Sequence, residues 1–298
     1  FAQLGVLDSI VRSLSRQGIT RPFEIQTAAL ADALAGHDVC GRAPTGSGKT
    51  TAIYAAIGFI LDKQGNAVAI SSVEDPVEQN LDWVNQSNLN PAQGYTYPAA
   101  LRSLMRQDPE IIMVGEIRDE ETAEIAINAA MTGHLVISTL HSGTTSGTFA
   151  RLINMDIEPF LLASTIIGVL GVRLLRQNCI HCSAPYTPEP YALEQLRQHE
   201  GDEYLQTLLS QNGFYRGSGR DCDACSNTGF GGRSAITELL VCDENVREAV
   251  MLKKPTRDIQ KIAEDKGMST LWDGGLQMVV DRRTTLEEIL KQVAADQV

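Results

Sequence analysis

Ile111, Ile112, Met113 and Val114 form an unbroken apolar run of strand length, and Gly115 and Glu116 close it. A strand that is apolar on both faces belongs in a sheet covered on both sides, which means a parallel sheet with helical crossovers. That requirement narrows the fold class to α/β. It also directs Glu116 to the C-terminal end of the strand, the edge at which open α/β sheets bind ligands.

The flanking sequence keeps a strand and helix rhythm. A strand is expected at Asp38–Arg42, a helix from Lys49 to about Leu61, a strand at Ala67–Val73, a helix near Pro98–Arg106 and a strand at Leu135–Thr139. Ala123, Ala126, Ile127 and Ala130 recur at helical spacing, so Asp119–Met131 reads as an amphipathic helix packed on the sheet. Thr148–Arg176 reads as one or two helices. From Glu244 onward short helices are expected, one with a capping box at Thr285 and Glu288. The organisation expected is a helical segment at 1–36, an α/β core at 37–176, a lobe rich in Cys, Pro and Gly at 177–235, and a helical part at 236–298.

Between the first strand and its helix stands APTGSGKT, Ala43 to Thr50. Successive backbone NH groups and the positive end of the following helix make this a phosphate cradle. Pro44, Thr45, Gly46, Ser47 and Gly48 supply the turn, and Thr50 and Thr51 open the helix. Lys49 brings a point charge to the β and γ oxygens, and Thr50 a hydroxyl for Mg²⁺. Ala43 stands where the strict pattern has Gly. With Glu116 available to orient a water, the combination reads as a nucleotide hydrolase. Glu74, Asp75 and Glu78 follow a strand and either reach the same edge or form a solvated turn around Pro76. His134 and His141 flank one strand. His141 is placed to sense a γ-phosphate, and His134 is either a structural histidine or a second member of the site.

Cys179 and Cys182 form one CxxC pair and Cys222 and Cys225 another, a set suited to a tetrahedral, closed Zn²⁺ site. Two disulfides are the rival arrangement, disfavoured in a reducing compartment. His181 reads as an exposed neighbour, and Cys40 and Cys242 as buried thiols. The formal charge of −12 argues against tight unaided nucleic-acid binding. The longest apolar stretch, Phe160 to Leu175, contains Ser164, Thr165 and Arg173 and falls short of the roughly 20 residues that span a bilayer. No export signal is recognisable, so the cytosol is the expected compartment. The start at Phe1 rather than Met suggests a processed product or a fragment.

EDPVE, LRSLMRQDPEIIMVGEIRDEETAEIA, MTGHLVISTLH and RLINMDIEPFLLAST resemble, in order and spacing, the Asp box, Walker B and His box of the secretion ATPases that power type II secretion and type IV pilus assembly. The likeness runs from about Thr50 to Val298. It implies a RecA-like P-loop NTPase core, usually in a ring of six, that turns ATP hydrolysis into movement of an inner-membrane platform and its assembly proteins. The protein would then be cytoplasmic and held at the inner membrane through partners. By this resemblance Glu116 is the Walker B catalytic acid, Glu74 the Asp-box acid, and His134 with His141 the His box. Arg118 would contact phosphate or a neighbouring subunit. The tetracysteine with NTGFGGR and ITELL resembles the same family's zinc-bearing part.

The first 50 residues resemble something else. Phe1, GITRPFEIQ and AGHDVCGRAPTGSGKT look like the start of a DEAD-box RNA helicase, in which Gln26 would read the adenine edge and Phe1 would pack on the base. A glutamine amide can pair with adenine N6 and N7. No DEAD tetrapeptide, SAT motif or second RecA domain follows. The alternatives are therefore an RNA-dependent helicase-like ATPase, or a fusion at the phosphate loop that binds nucleotide with low turnover for want of the domain that normally precedes this core.

Overall fold

The computed structural model describes residues 39–42, 48–64, 68–211 and 213–293. The expected helical segment 1–36, Phe1, Gln26, Pro44, Thr45, Gly46 and Ser47 lie outside the described residues. Two compact units are present, one of Phe1–Val172 with Glu238–Met268 and one of Arg173–Thr237 with Ser269–Val298. Two of their three boundaries fall inside strands, Gly168–Asn178 and Phe230–Val241, and residues 236–298 are divided between the units, where the sequence reading places a single helical part.

The strands are β1 (Val39–Arg42), β2 (Ile70–Glu74), β3 (Asn85–Asn88), β4 (Ile111–Val114), β5 (Leu135–Leu140), β6 (Gly168–Asn178), β7 (Ser183–Tyr186), β8 (Phe214–Gly217) and β9 (Phe230–Val241). The helices are α1 (Lys49–Gln64), α2 (Tyr97–Leu104), α3 (Glu120–Met131), α4 (Gly147–Ile153), α5 (Pro159–Thr165), α6 (Pro190–Glu200), α7 (Asp202–Gln211), α8 (Glu244–Met251), α9 (Thr256–Asp265), α10 (Leu271–Val280) and α11 (Leu286–Val293).

The main sheet runs β3-β2-β4-β5-β1-β6-β9. β1 pairs in parallel with β5 and β6, β2 with β3 and β4, and β4 with β5. All four residues of β4 are buried, as are all five of β2, which is what a sheet covered on both faces demands. α3 begins where the sequence places it, because the Asp119 carboxylate accepts from the Thr122 amide at 2.9 Å. Ala123, Ala126, Ile127 and Ala129 then turn into a core shared with Val73, Ile112, Val114 and Phe149. No helix among the described residues is long and apolar enough to cross a membrane.

One expected element is wrong. Residues 168–176, read as helix, form most of β6, and Val39 faces Gly168 while Arg42 faces Gly171. A continuous apolar run gives no period to choose between helix and strand. Gly168 and Gly171 weaken the helix, and pairing with β1 supplies the alternative.

The second unit has its own core, built on Leu175, Leu196, Phe214, Trp272, Leu286 and Ile289. The capping box expected at α11 is half formed. Thr285 Oγ1 accepts from the Glu288 amide at 3.2 Å, but the Glu288 carboxylate turns to Arg176. The complete box lies at α10 instead, between Thr270 and Asp273.

Candidate functional site

Because β1, β2, β4 and β5 are parallel, their C-terminal ends share one edge of the sheet, in the order β2, β4, β5, β1. Each end leads directly into a residue singled out above. β2 ends on Glu74, β4 leads through Gly115 to Glu116, and β5 leads to His141. β1 leads through the phosphate loop to α1 and Lys49. The Gly48 carbonyl accepts the first helical bond of α1, from Ala52 at 2.9 Å, so the helix opens at the end of the loop. Lys49 is buried, and its Nζ donates to the Leu140 carbonyl at the end of β5, at 3.3 Å.

Glu116 sits between an arginine and a histidine. Arg118 Nε donates to Oε2 at 2.6 Å, and His141 Nε2 lies 2.7 Å from Oε1. The bond to Glu116 raises the Arg118 pKa further above its ordinary value. The Glu116 side chain is 12% exposed, whereas those of Arg118 and His141 are 61% and 54% exposed. Lys49, Glu116, Arg118 and His141 are thus brought to one place.

Glu74 reaches the same edge but lies below the surface, 2% exposed. Tyr54 Oη, from α1, donates to Oε2, while Ser72 Oγ and Gln86 Nε2 donate to Oε1 at 2.6 and 3.0 Å. Burial first, and then the bond to Glu74, push the Tyr54 hydroxyl pKa well above its usual value, so it remains a donor. Asp75 and Glu78 are exposed beside it. Sequence reasoning missed Tyr54, Ser72 and Gln86. Tyr54 is one turn beyond Thr50 on the same helix, a spacing that alone indicates no contact with a strand end.

His134 belongs elsewhere. It precedes β5, so it stands at the opposite edge of the sheet from His141. Its Nδ1 lies 2.9 Å from the Ala129 carbonyl and 3.1 Å from Thr132 Oγ1, closing the end of α3. An apolar cavity of about 60 Å³ lined by Ile117, Ala126, Ile127, Leu152 and Ile166 carries no charged side chain and is a packing void.

In the second unit the four cysteine sulfurs lie within 4.8 Å of one another. Cys179 and Cys222 are 3.9 Å apart and Cys182 and Cys225 3.8 Å, far beyond a disulfide bond of about 2.05 Å. The rival disulfide arrangement is therefore not formed. For metal–sulfur bonds of about 2.3 Å, a regular tetrahedron has edges of about 3.8 Å, so the set fits one metal ion. Although desolvation opposes it, the Gly229 amide and the neighbouring thiols bring the Cys225 thiol down to about 7, while the bond to Cys225 and burial push Cys222 up to about 12, so the first proton leaves the cluster from Cys225. The loop carrying the second pair passes close to the end of β8. A Cβ on Gly217 would stand 1.9 Å from the Gly229 carbonyl oxygen, which accounts for a glycine there. Cys242 is a buried thiol raised to about 11 by desolvation.

The sequence pattern of the family described as type II/IV secretion system protein matches residues 24–291. The match begins upstream of Thr50 and takes in the whole phosphate loop. The chain is 43% identical over 247 residues to the type IV pilus assembly ATPase PilB of Thermus thermophilus, covering 83% of this chain and 26% of that one. It is 43% identical over 253 residues to the type II secretion system protein E of Aeromonas hydrophila, covering 85% and 48%. The chain therefore spans from a quarter to about half the length of these curated relatives. Among solved structures, the pilus retraction motor PilT with bound ADP superposes with a TM-score of 0.59 at 24% identity, over 86% of this chain and 60% of that one. The ATPase DotB of Legionella pneumophila gives 0.62 at 20% identity, over 90% and 64%. These two likenesses show that the chain shares the fold of PilT and DotB.

Proposed function

Because the chain belongs to the type II/IV secretion system protein family, we propose that it is the ATP-hydrolysing part of a motor that drives type II secretion or type IV pilus assembly. It works as a ring of copies, six by family likeness, on the cytoplasmic side of an inner-membrane platform reached through partner proteins. The observation that carries this reading is the meeting of Lys49, Glu116 and His141 at the C-terminal edge of a parallel sheet.

The roles follow from position. The N-terminus of α1 and the Lys49 ammonium hold the β and γ oxygens. Pro44, Thr45, Gly46, Ser47, Gly48 and Thr51 complete the cradle, and Thr50 offers its hydroxyl to Mg²⁺. A Mg²⁺ ion held there would supply charge neutralisation for the transferred phosphoryl group. Glu116 orients the attacking water. Arg118, held on Glu116 and largely exposed, supplies positive charge near the γ-phosphate, and His141 a ring nitrogen that can bond it. Glu74 shapes the wall of the pocket and links β2 to α1 through Tyr54. Gln26 and Phe1 are the proposed adenine contacts. Cys179, Cys182, Cys222 and Cys225 hold a structural Zn²⁺.

ATP turnover measured against protein concentration tests the reading. Activity should rise more steeply than linearly as rings form. Lys49→Ala should weaken nucleotide binding itself, and Glu116→Gln should bind ATP while losing at least about 100-fold in kcat. Wild-type turnover in Glu116→Gln would remove the assignment. Turnover stimulated by RNA and suppressed by salt would favour the helicase-like alternative.

A further inference from the structure

Tyr97 is the first residue of α2, and its ring is packed in the core of the first unit at 8% exposure. Its hydroxyl reaches the end of β4. A Cβ built on Gly115 would lie 2.9 Å from Tyr97 Oη, 3.3 Å from Glu74 Cα and 3.3 Å from the Val73 carbonyl oxygen. The phenol oxygen therefore lies over the seam between the ends of β2 and β4, directly beside the residue that precedes Glu116. Gly115 has no side chain because that space is taken by this hydroxyl and by the neighbouring strand.

Resting on the proposed ATPase reading, we infer that Tyr97 is a further positioning residue of the hydrolytic site, its hydroxyl donating a hydrogen bond into the space where Glu116 holds the attacking water. The charged groups acting on it are those of the site itself: Asp75, Arg118, Glu116 and Glu74. Burial, the largest cause, and these carboxylates raise its pKa to about 12, so at neutral pH the phenol is a neutral donor facing acids. A neutral donor suits this place. It can order a water next to a carboxylate without neutralising the negative charge that makes the carboxylate a base. The rigid ring, fixed in the core at the start of a helix, holds the hydroxyl still, which is what orientation requires.

The test compares wild type, Tyr97→Phe, Gly115→Ala, the double variant and Glu116→Gln, all in the full chain. Tyr97→Phe keeps the packed ring and removes one oxygen. We expect kcat to fall about tenfold, equivalent to about 1.4 kcal/mol. Its KM for ATP, its affinity for a fluorescent nucleotide analogue and its melting temperature should match wild type. Gly115→Ala should cost more kcat in the wild-type background than in Tyr97→Phe, because the atom it displaces is then gone. A kcat for Tyr97→Phe within twofold of wild type overturns the inference and leaves the ATPase reading standing. So does a parallel loss of kcat, binding and stability, which marks a packing role, and so do equal Gly115→Ala penalties in both backgrounds. A wild type without turnover, or an active Glu116→Gln, fells the underlying reading and this inference with it.

Discussion

Replacing Arg176 by Met should destabilise the second unit by an amount that depends on pH in a defined direction. Glu288 has a side chain only 1% exposed, and Arg176 supplies three bonds to its carboxylate, including the Nε bond at 2.9 Å and the backbone amide at 3.1 Å. Met keeps the aliphatic stem beside the Phe230 ring, over which the guanidinium now lies at 4.0 Å, and removes only the charge and its donors. Breaking a buried pair by removing one partner costs about 3–5 kcal/mol. Arg176 is 44% exposed, so water screens the pair and the expectation falls to about 2–3 kcal/mol at pH 7.

The sign of the pH effect follows from the wild-type shift. Burial alone would raise the Glu288 pKa, yet the bonds from Arg176 outweigh it and hold it below the ordinary carboxylate value. The stabilisation is thus complete above the unfolded-state pKa of about 4.3 and is lost as pH falls through the lower folded value. In Arg176→Met the residue-176 backbone amide and Lys291 still lower the value, but burial, the largest cause, meets much less opposition and raises the folded pKa. That variant should regain stability as pH drops from 7 towards 4.5, while wild type stays level. Trp272 is buried in the same unit, and a Trp83→Phe background makes it the sole indole of the two, so urea unfolding followed by its fluorescence reads this unit. A loss below about 1 kcal/mol, or one that stays constant between pH 7 and 4.5, refutes the reasoning.

Two further outcomes are expected. Chelation of the metal proposed at the four cysteines, or Cys222→Ser, should release about one Zn²⁺ per chain and lower the Trp272 transition while leaving the Trp83 transition in place, checked by metal analysis and fluorescence melting. His134→Ala should cost about 1 kcal/mol in denaturant titration through loss of its bonds to the end of α3, and should leave kcat within twofold, because it stands at the far edge of the sheet.

The parts of this fold that could be read from sequence are those with a period or an edge. β4 was legible because four apolar residues ended abruptly at Gly115 and Glu116, and α3 because its alanines repeat and Asp119 caps it. β6 was not legible, since its apolar residues are continuous and its partner β1 lies more than a hundred residues upstream. Non-local pairing leaves no local mark. The same holds in the site. Spacing brought Glu74 and Glu116 to one edge but said nothing of depth, which Tyr54, Ser72 and Gln86 decide from three different elements. Glu288 was read as a capping residue, and only the fold could reveal that Arg176 competes for its carboxylate and wins by charge.

That difference in depth argues for different roles for two acids that look alike in sequence. Glu74 is fixed by neutral donors carried on α1, β2 and β3, none of which can leave without disturbing the sheet or the helix behind the phosphate loop. Glu116 is nearly as enclosed, but both of its partners are more than half exposed and sit just beyond strand ends. Moving an exposed arginine or histidine off a carboxylate costs little, because such pairs contribute at most about 1 kcal/mol. A phosphate arriving at the neighbouring Lys49 would offer both side chains a more highly charged partner. Glu116 would then keep its place while its oxygens become available to a water. The acid strand lies between β2 and β5, and α1 is bonded to the ends of both, through Tyr54 to Glu74 and through Lys49 to Leu140. The helix proposed to receive the phosphates is thereby tied to each side of the strand that carries the acid, so loading the loop would act on Glu116 from two directions through contacts of one bond each.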